Sequence, residues 1–155
     1  MITREDKLHV LARLAKEFNK QNLLWAVGAS ILLYLKGYVD NFNDLDLLVA
    51  AEDAEAMETI LNQLGTPLPT TRGTFETKRF RKFEVDSVEI DMIGGFAIVS
   101  QGQVYDCDLK EDQVTGYFAL YGEQIPLHSV SLWHRYYSLM GRPDKVEIIE
   151  KMQAI

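Results

Sequence analysis

A chain of 155 residues, 47% hydrophobic and 25% charged, has the composition of an ordinary soluble globular protein and the length of one domain. Its formal charge of −7 argues against binding nucleic acid through a general basic surface, and a single cysteine, Cys107, excludes an internal disulfide or a cysteine cage for zinc. No apolar run approaches the roughly 20 residues that span a bilayer, and the first residues lack a signal-peptide core, so a cytoplasmic protein without membrane contact is expected.

Thr3 and Asp6 mark a helix start, and Leu8, Leu11, Ala15 and Phe18 recur at helical spacing until Asn19–Asn22 close the segment. Leu23–Val27 is a short apolar run that reads as a buried strand and delivers Gly28-Ala29-Ser30 at its end. There Gly28 suits a tight turn and Ser30 is placed to cap the next helix, whose apolar part runs from Ile31 to Leu35 and whose C-cap is Gly37. After the polar stretch Tyr38–Asn43 comes a strand over Asp44–Val49. Asp53 then caps a helix over Ala54–Leu64, with Met57, Ile60, Leu61 and Leu64 on one stripe.

Thr66–Thr74, with two prolines and a glycine, reads as a loop at the rim of a cleft. Phe75–Val85 and Val88–Ile93 form a hairpin about Asp86-Ser87, with Val88, Ile90 and Met92 on one face and Glu89 and Asp91 on the other. Gly94-Gly95 breaks the strand. A short strand over Phe96–Val99, an irregular acidic stretch over Tyr105–Asp108 and one or two strands between Tyr117 and Leu127 follow. Two helices close the chain: Ser129–Met140, with Leu132, Tyr136 and Leu139 on one side, and Asp144–Met152 after Gly141 and Pro143. The expected architecture is one α/β (α+β) domain over 1–155, a mixed central sheet with helices packed mainly on one side, and 129–155 as a helical closing segment.

Asp44 and Asp46 are separated by one leucine on a strand, so their carboxylates lie side by side while Leu45, Leu47 and Val49 point into a core. Two like charges at that distance shift toward protonation unless a cation lies between them, and a hard, oxygen-seeking divalent ion such as Mg²⁺ suits the pair. The hairpin brings Asp91 beside them as a third carboxylate, with Glu89 on the same strand face as the alternative; Asp91 stands nearer the strand end, where a cleft is expected. The basic run Lys78–Lys82 reads first as a solvated strand face, although Arg79 and Arg81 share a side that could reach phosphate. His9, His128 and His134 belong to no metal-ligand pattern. Trp133, Tyr136 and Tyr137 fit a core stripe better than a stacking platform.

Gly28-x-Ser30, a helix, the Asp44-x-Asp46 strand and the later Asp91 together resemble the nucleotidyltransferase superfamily, the DNA-polymerase-β-like fold, over roughly Leu23–Ile93. The remainder is similar to the small members that include lincosamide and aminoglycoside nucleotidyltransferases. The resemblance implies metal-dependent transfer of an NMP group, AMP above all, from an NTP to a hydroxyl of a small molecule or protein. It implies that Asp44, Asp46 and Asp91 hold Mg²⁺ or Mn²⁺ and do the catalytic work, with Asp91 either binding the second metal or acting as general base. Gly28 and Ser30 would contact the triphosphate. Two departures stand out. Ala29 puts a methyl group where the superfamily often has glycine, and the chain lacks a long helical acceptor domain, so its C-terminal half, a homodimer or a partner protein must complete the acceptor site. A second reading is therefore a non-catalytic nucleotide- or partner-binding subunit, such as one half of a toxin–antitoxin pair.

Overall fold

The computed structural model describes residues 1–70 and 77–154. Helix α1 (Arg4–Lys20) starts where the sequence places it: the Thr3 hydroxyl accepts from the Asp6 amide and the Asp6 carboxylate accepts from the Thr3 amide. A cap of this kind contributes about 1 kcal/mol. Strand β1 (Trp25–Val27) is shorter than the apolar run that contains it, because the Leu24 amide donates to the Asp53 carboxylate at 2.8 Å instead of joining a ladder. Asp53 is thereby lost as a side-chain cap for α3 (Ala54–Leu64), although it does stand at that helix's N-cap position, after a 3₁₀ turn at Ala51–Asp53.

Between them lie α2 (Ala29–Leu35) and β2 (Leu45–Val49). Gly37 follows the C-cap Lys36 at φ 80°, in the left-handed region that ends a helix with least strain. Next come β3 (Thr66–Leu68), β4 (Arg79–Val85), β5 (Val88–Gly94), β6 (Ala97–Ser100), β7 (Gln103–Asp106), a 3₁₀ turn at Glu111–Gln113, β8 (Val114–Leu120) and β9 (Glu123–His128). Helices α4 (Val130–Leu139) and α5 (Pro143–Gln153) finish the chain. The Ser129 hydroxyl caps α4 by accepting from the Leu132 amide.

Seven strands form one mixed sheet in the order β3-β4-β5-β2-β1-β9-β8, and β6 pairs with β7 separately. Three two-residue hairpins turn on Asp86-Ser87, Gln101-Gly102 and Tyr121-Gly122, each with positive φ at both positions, the geometry whose twist matches paired strands. Two expectations are corrected. Thr66–Leu68 is not loop but an edge strand paired with Glu84, Phe83 and Lys82, which the two prolines of the segment disguise, since an edge strand tolerates proline. Of the expected irregular stretch Tyr105–Asp108, Tyr105 and Asp106 belong to a strand, Gln103–Asp106, and only Cys107 and Asp108 are irregular. Positions 71–74 of the expected loop, and 75–76 of the expected strand, lie outside the described residues.

Alternation along β2, β4 and β5 gives the sheet two unlike faces. On the back, Leu45, Leu47, Phe83, Ile90 and Met92 are buried. Helices α1 and α3 cover that face: Phe18 meets Trp25 edge-on at 5.1 Å, and Glu58 of α3 reaches Arg79 and Arg81. Across the front, the register sets Ala26 opposite Leu48, Leu48 beside Ile93 and Ile93 opposite Phe80. Helix α4 covers part of this face with Trp133, Tyr136 and Tyr137, all buried. The buried side of α4 is thus centred on Trp133, with Tyr136 kept from the expected stripe and Leu132 and Leu139 only partly buried. Among the described residues no helix is long and apolar enough to cross a membrane.

Candidate active site

The front of the sheet carries one charged rung. Lys82 on β4 is the register partner of Asp91 on β5, and Asp91 is the partner of Asp46 on the parallel strand β2. Strand period and pairing together therefore bring Asp46 and Asp91 face to face, as the hairpin implied. Their carboxyl groups are close enough to act on each other, and Asp46 is held far above the ordinary carboxylate range by burial first and then by the charges of Asp91 and Asp44. Asp44, just before β2, is also raised, by burial and then by Asp91 and Glu89. Glu89 lies on the same strand face, exposed and two residues farther from the end of β5.

Asp46 and Asp91 open into a cavity of about 410 Å³ that Ser30, Asn43, Thr77, Trp133 and Tyr137 also line. Phe80, Ile93, Phe96 and Met140 add apolar lining, and Arg142 and Lys145, at the start of α5, line it as well. Arg142 is held by Asp144, with both guanidinium contacts at 3.3 Å. Tyr137 lines the same cavity as Ser30 and Asp46, its phenol pushed up by burial and then by the charge of Asp46.

The Gly28-Ala29-Ser30 turn differs in detail from its expected form. Gly28 has an ordinary extended backbone, φ −132°, and its amide donates to the Asp46 carbonyl at 3.0 Å. What position 28 requires is space: a Cβ there would come within 2.4 Å of Leu48 and 2.5 Å of Trp133. The left-handed conformation falls on Ala29, at φ 53°, where a non-glycine residue carries strain of about 1–2 kcal/mol. Ser30 lies inside α2 and caps nothing, since Gly28 holds the N-cap position without a side-chain bond; its side chain is left to the cavity and to Tyr137.

Among the described residues no group of three His, Cys, Asp or Glu side chains is drawn together tightly enough to hold a metal ion. The donor set nevertheless fits a hard divalent cation: the donors are carboxylate oxygens, and two of the three are driven toward protonation by burial and mutual repulsion, a penalty that a cation would relieve. Asp91 is engaged otherwise, with Lys82 Nζ 2.8 Å from its Oδ1. That hydrogen bond raises the lysine above its usual value against the opposing effect of burial.

Lys82, Arg142 and Lys145 were not singled out from sequence, and Trp133 and Tyr137, read there as core, are buried and also line the cavity. The alternation that set Arg79 and Arg81 on one face did contain the signal for Lys82, which falls on the other. Arg79 and Arg81 reach Glu58 on the back, at 3.1 and 3.2 Å, and not the cleft. His9 is exposed and stacked on Tyr121, and His134 stands 3.5 Å from Glu150. His128 is fully buried beside Trp133 and Tyr136.

The sheet order, the turn before α2 and the acids on adjacent parallel strands define a nucleotidyltransferase fold. No family model and no curated protein sequence matches the chain, so the relationship is carried by solved structures. The proposed nucleotidyltransferase TM1012 from Thermotoga maritima superposes with a TM-score of 0.75 at 20% identity, over 99% of this chain and 96% of that one. ANT(2″)-Ia, in complex with adenylyl-2″-tobramycin, gives 0.63 at 11% identity over 94% and 88%. The lincosamide antibiotic adenylyltransferase LnuA, lincomycin-bound, gives 0.61 at 11% identity over 96% and 97%. The similarity to lincosamide and aminoglycoside nucleotidyltransferases thus extends over the whole fold, beyond the central motif.

Proposed function

We propose that the protein is a metal-dependent nucleotidyltransferase that moves AMP from ATP to a hydroxyl group of a small molecule or protein. The observation that carries this reading is the pairing of Asp46 with Asp91 across two parallel strands, at the wall of a cavity that Ser30 also lines. Asp44, Asp46 and Asp91 would hold Mg²⁺ or Mn²⁺. When bound, such ions stabilise the charge that develops on the attacking and leaving oxygens of an in-line phosphoryl displacement. Ser30, which lines the cavity, and Gly28 before it would contact the triphosphate, and Arg142 and Lys145 add positive charge to the lining. The apolar wall of Phe80, Ile93, Phe96 and Trp133 offers a surface for a base or an acceptor ring. Asp91 can orient or deprotonate the acceptor hydroxyl where it is not bound to metal.

The choice of AMP draws on the adenylyl product of ANT(2″)-Ia and the adenylyltransferase activity in the name of LnuA; the acceptors of those proteins are their own. The test is pyrophosphate release from each NTP with Mg²⁺ or Mn²⁺ across a panel of hydroxylated acceptors. We expect ATP to be turned over with at least one acceptor, and no release with an Asp44→Asn, Asp46→Asn protein. Release by neither protein with any NTP would contradict the reading and favour the non-catalytic subunit, for which the strained Ala29 and the occupied Asp91 are the supporting observations.

A further inference from the structure

The front rung contains more than acids. Of the three basic residues Arg79, Arg81 and Lys82, the two arginines share Glu58 on the back of the sheet, and Lys82 alone faces the carboxylates. Its side chain is 29% exposed and that of Asp91 15%, so the pair is partly shielded from solvent. The strand register fixes the two opposite each other, and little conformational freedom is lost in making the contact. Asp44 and Glu89 also lie close enough to act on the ammonium. A lysine here is a compact single charge among several acids, sufficient to make them tolerable in the folded protein and insufficient to neutralise them.

We propose that Lys82 is an internal counter-ion that competes with the divalent cation for Asp91, so that metal is bound only when the ammonium leaves that carboxylate for the incoming polyphosphate. This rests on the reading of the site as a metal and nucleotide site. It accounts for two observations together: three acids stand at one place, yet they are not drawn into a metal-holding group, because the third is turned to Lys82. It also assigns Lys82 a role in coupling, since binding of metal without nucleotide is opposed and binding of both together is favoured.

The experiment is titration of the full-length protein with Mn²⁺, following free Mn²⁺ by electron paramagnetic resonance, with and without ATP. Lys82→Met keeps the aliphatic stem and removes the charge. A charge-assisted bond of this type, discounted for partial exposure, corresponds to about a tenfold change in Kd. We expect Lys82→Met to bind Mn²⁺ about tenfold more tightly than wild type without ATP and to lose that advantage with ATP. Lys82→Arg should stay near wild type. Lys82→Gln gives a second neutral variant if the methionine protein does not fold. Unchanged or weaker Mn²⁺ binding in a folded neutral variant, with wild type binding normally, overturns the role of Lys82 and leaves the site assignment standing. Absence of Mn²⁺ binding in every protein, with or without ATP, overturns both.

Discussion

Strand β4 carries two ionic groups that face opposite ways, and they are built on opposite charge balances. On the back, one acid, Glu58, takes two arginines, Arg79 and Arg81, and the group sits over a face of buried Leu47, Phe83 and Met92. On the front, one lysine meets Asp91, with Asp46 and Asp44 close behind. The back group is saturated and peripheral, while the front group holds excess negative charge in a place where burial makes that charge costly. The same strands thus place stability on one side and an unsatisfied demand for a cation on the other. Such a demand is a mark of a functional site rather than of packing.

The comparison predicts where substitutions register. Leu47→Ala, on the fully buried back face, should cost about 2–5 kcal/mol. Denaturant unfolding would read this as a lowered midpoint, while the folded fraction should keep its affinity for ATP and metal; loss of affinity at full folding would break the division between faces. Next in size is a pH effect at His128, under the cover of the front face, where burial lowers the imidazole from 6.5 to about 4 against a smaller opposing effect of the Ser129 backbone. Because the unfolded chain then binds the proton first, the titration of His128 has no effect on stability above about pH 7 and destabilises progressively as pH falls from about 6.5 to 4. The full effect is about 3 kcal/mol. A His128→Gln protein that remains folded should show a flatter decline over that window, and an identical decline would contradict the assignment.

Gly28→Ala would drive a methyl group into Leu48 and Trp133, an overpacking cost of about 1–3 kcal/mol. On the front, unlike the back, this should weaken ATP binding together with thermal stability; a drop in stability alone would separate the turn from the site. Arg79→Ala is the smallest. With its side chain 36% exposed, the pair it forms with Glu58 should contribute less than about 1 kcal/mol, and Mn²⁺ affinity should not move. A shift in metal affinity would show the two ionic groups to be coupled through β4.

Much of this arrangement can be read from the residues themselves. The alternation Val88, Ile90, Met92 against Glu89, Asp91 put Asp91 on the face where it pairs with Asp46, because a strand with one buried face has its register fixed by that face. Helices α1 and α3 were legible from their apolar stripes and terminal residues. The edge strand Thr66–Leu68 was not, because its stability comes from pairing with β4 and not from its own propensity. Asp53 illustrates the same limit: at a helix start it has the form of a cap, but the Leu24 amide 29 positions earlier claims it. Lys82 escaped notice for a related reason. A basic run reads as one solvated patch until the strand register sends alternate members to opposite faces. Tyr137, Arg142 and Lys145 reach the cavity only through the packing of α4 and α5, which no local pattern encodes.

The measurement that bears most directly on the central claim is calorimetric titration of ATP, with and without Mg²⁺, into the wild type and into the Asp44→Asn, Asp46→Asn protein, which keeps side-chain shape and removes two charges. The account predicts binding that depends on Mg²⁺ in the wild type and is lost in the variant. Binding of equal strength in both proteins, or in neither, would contradict it.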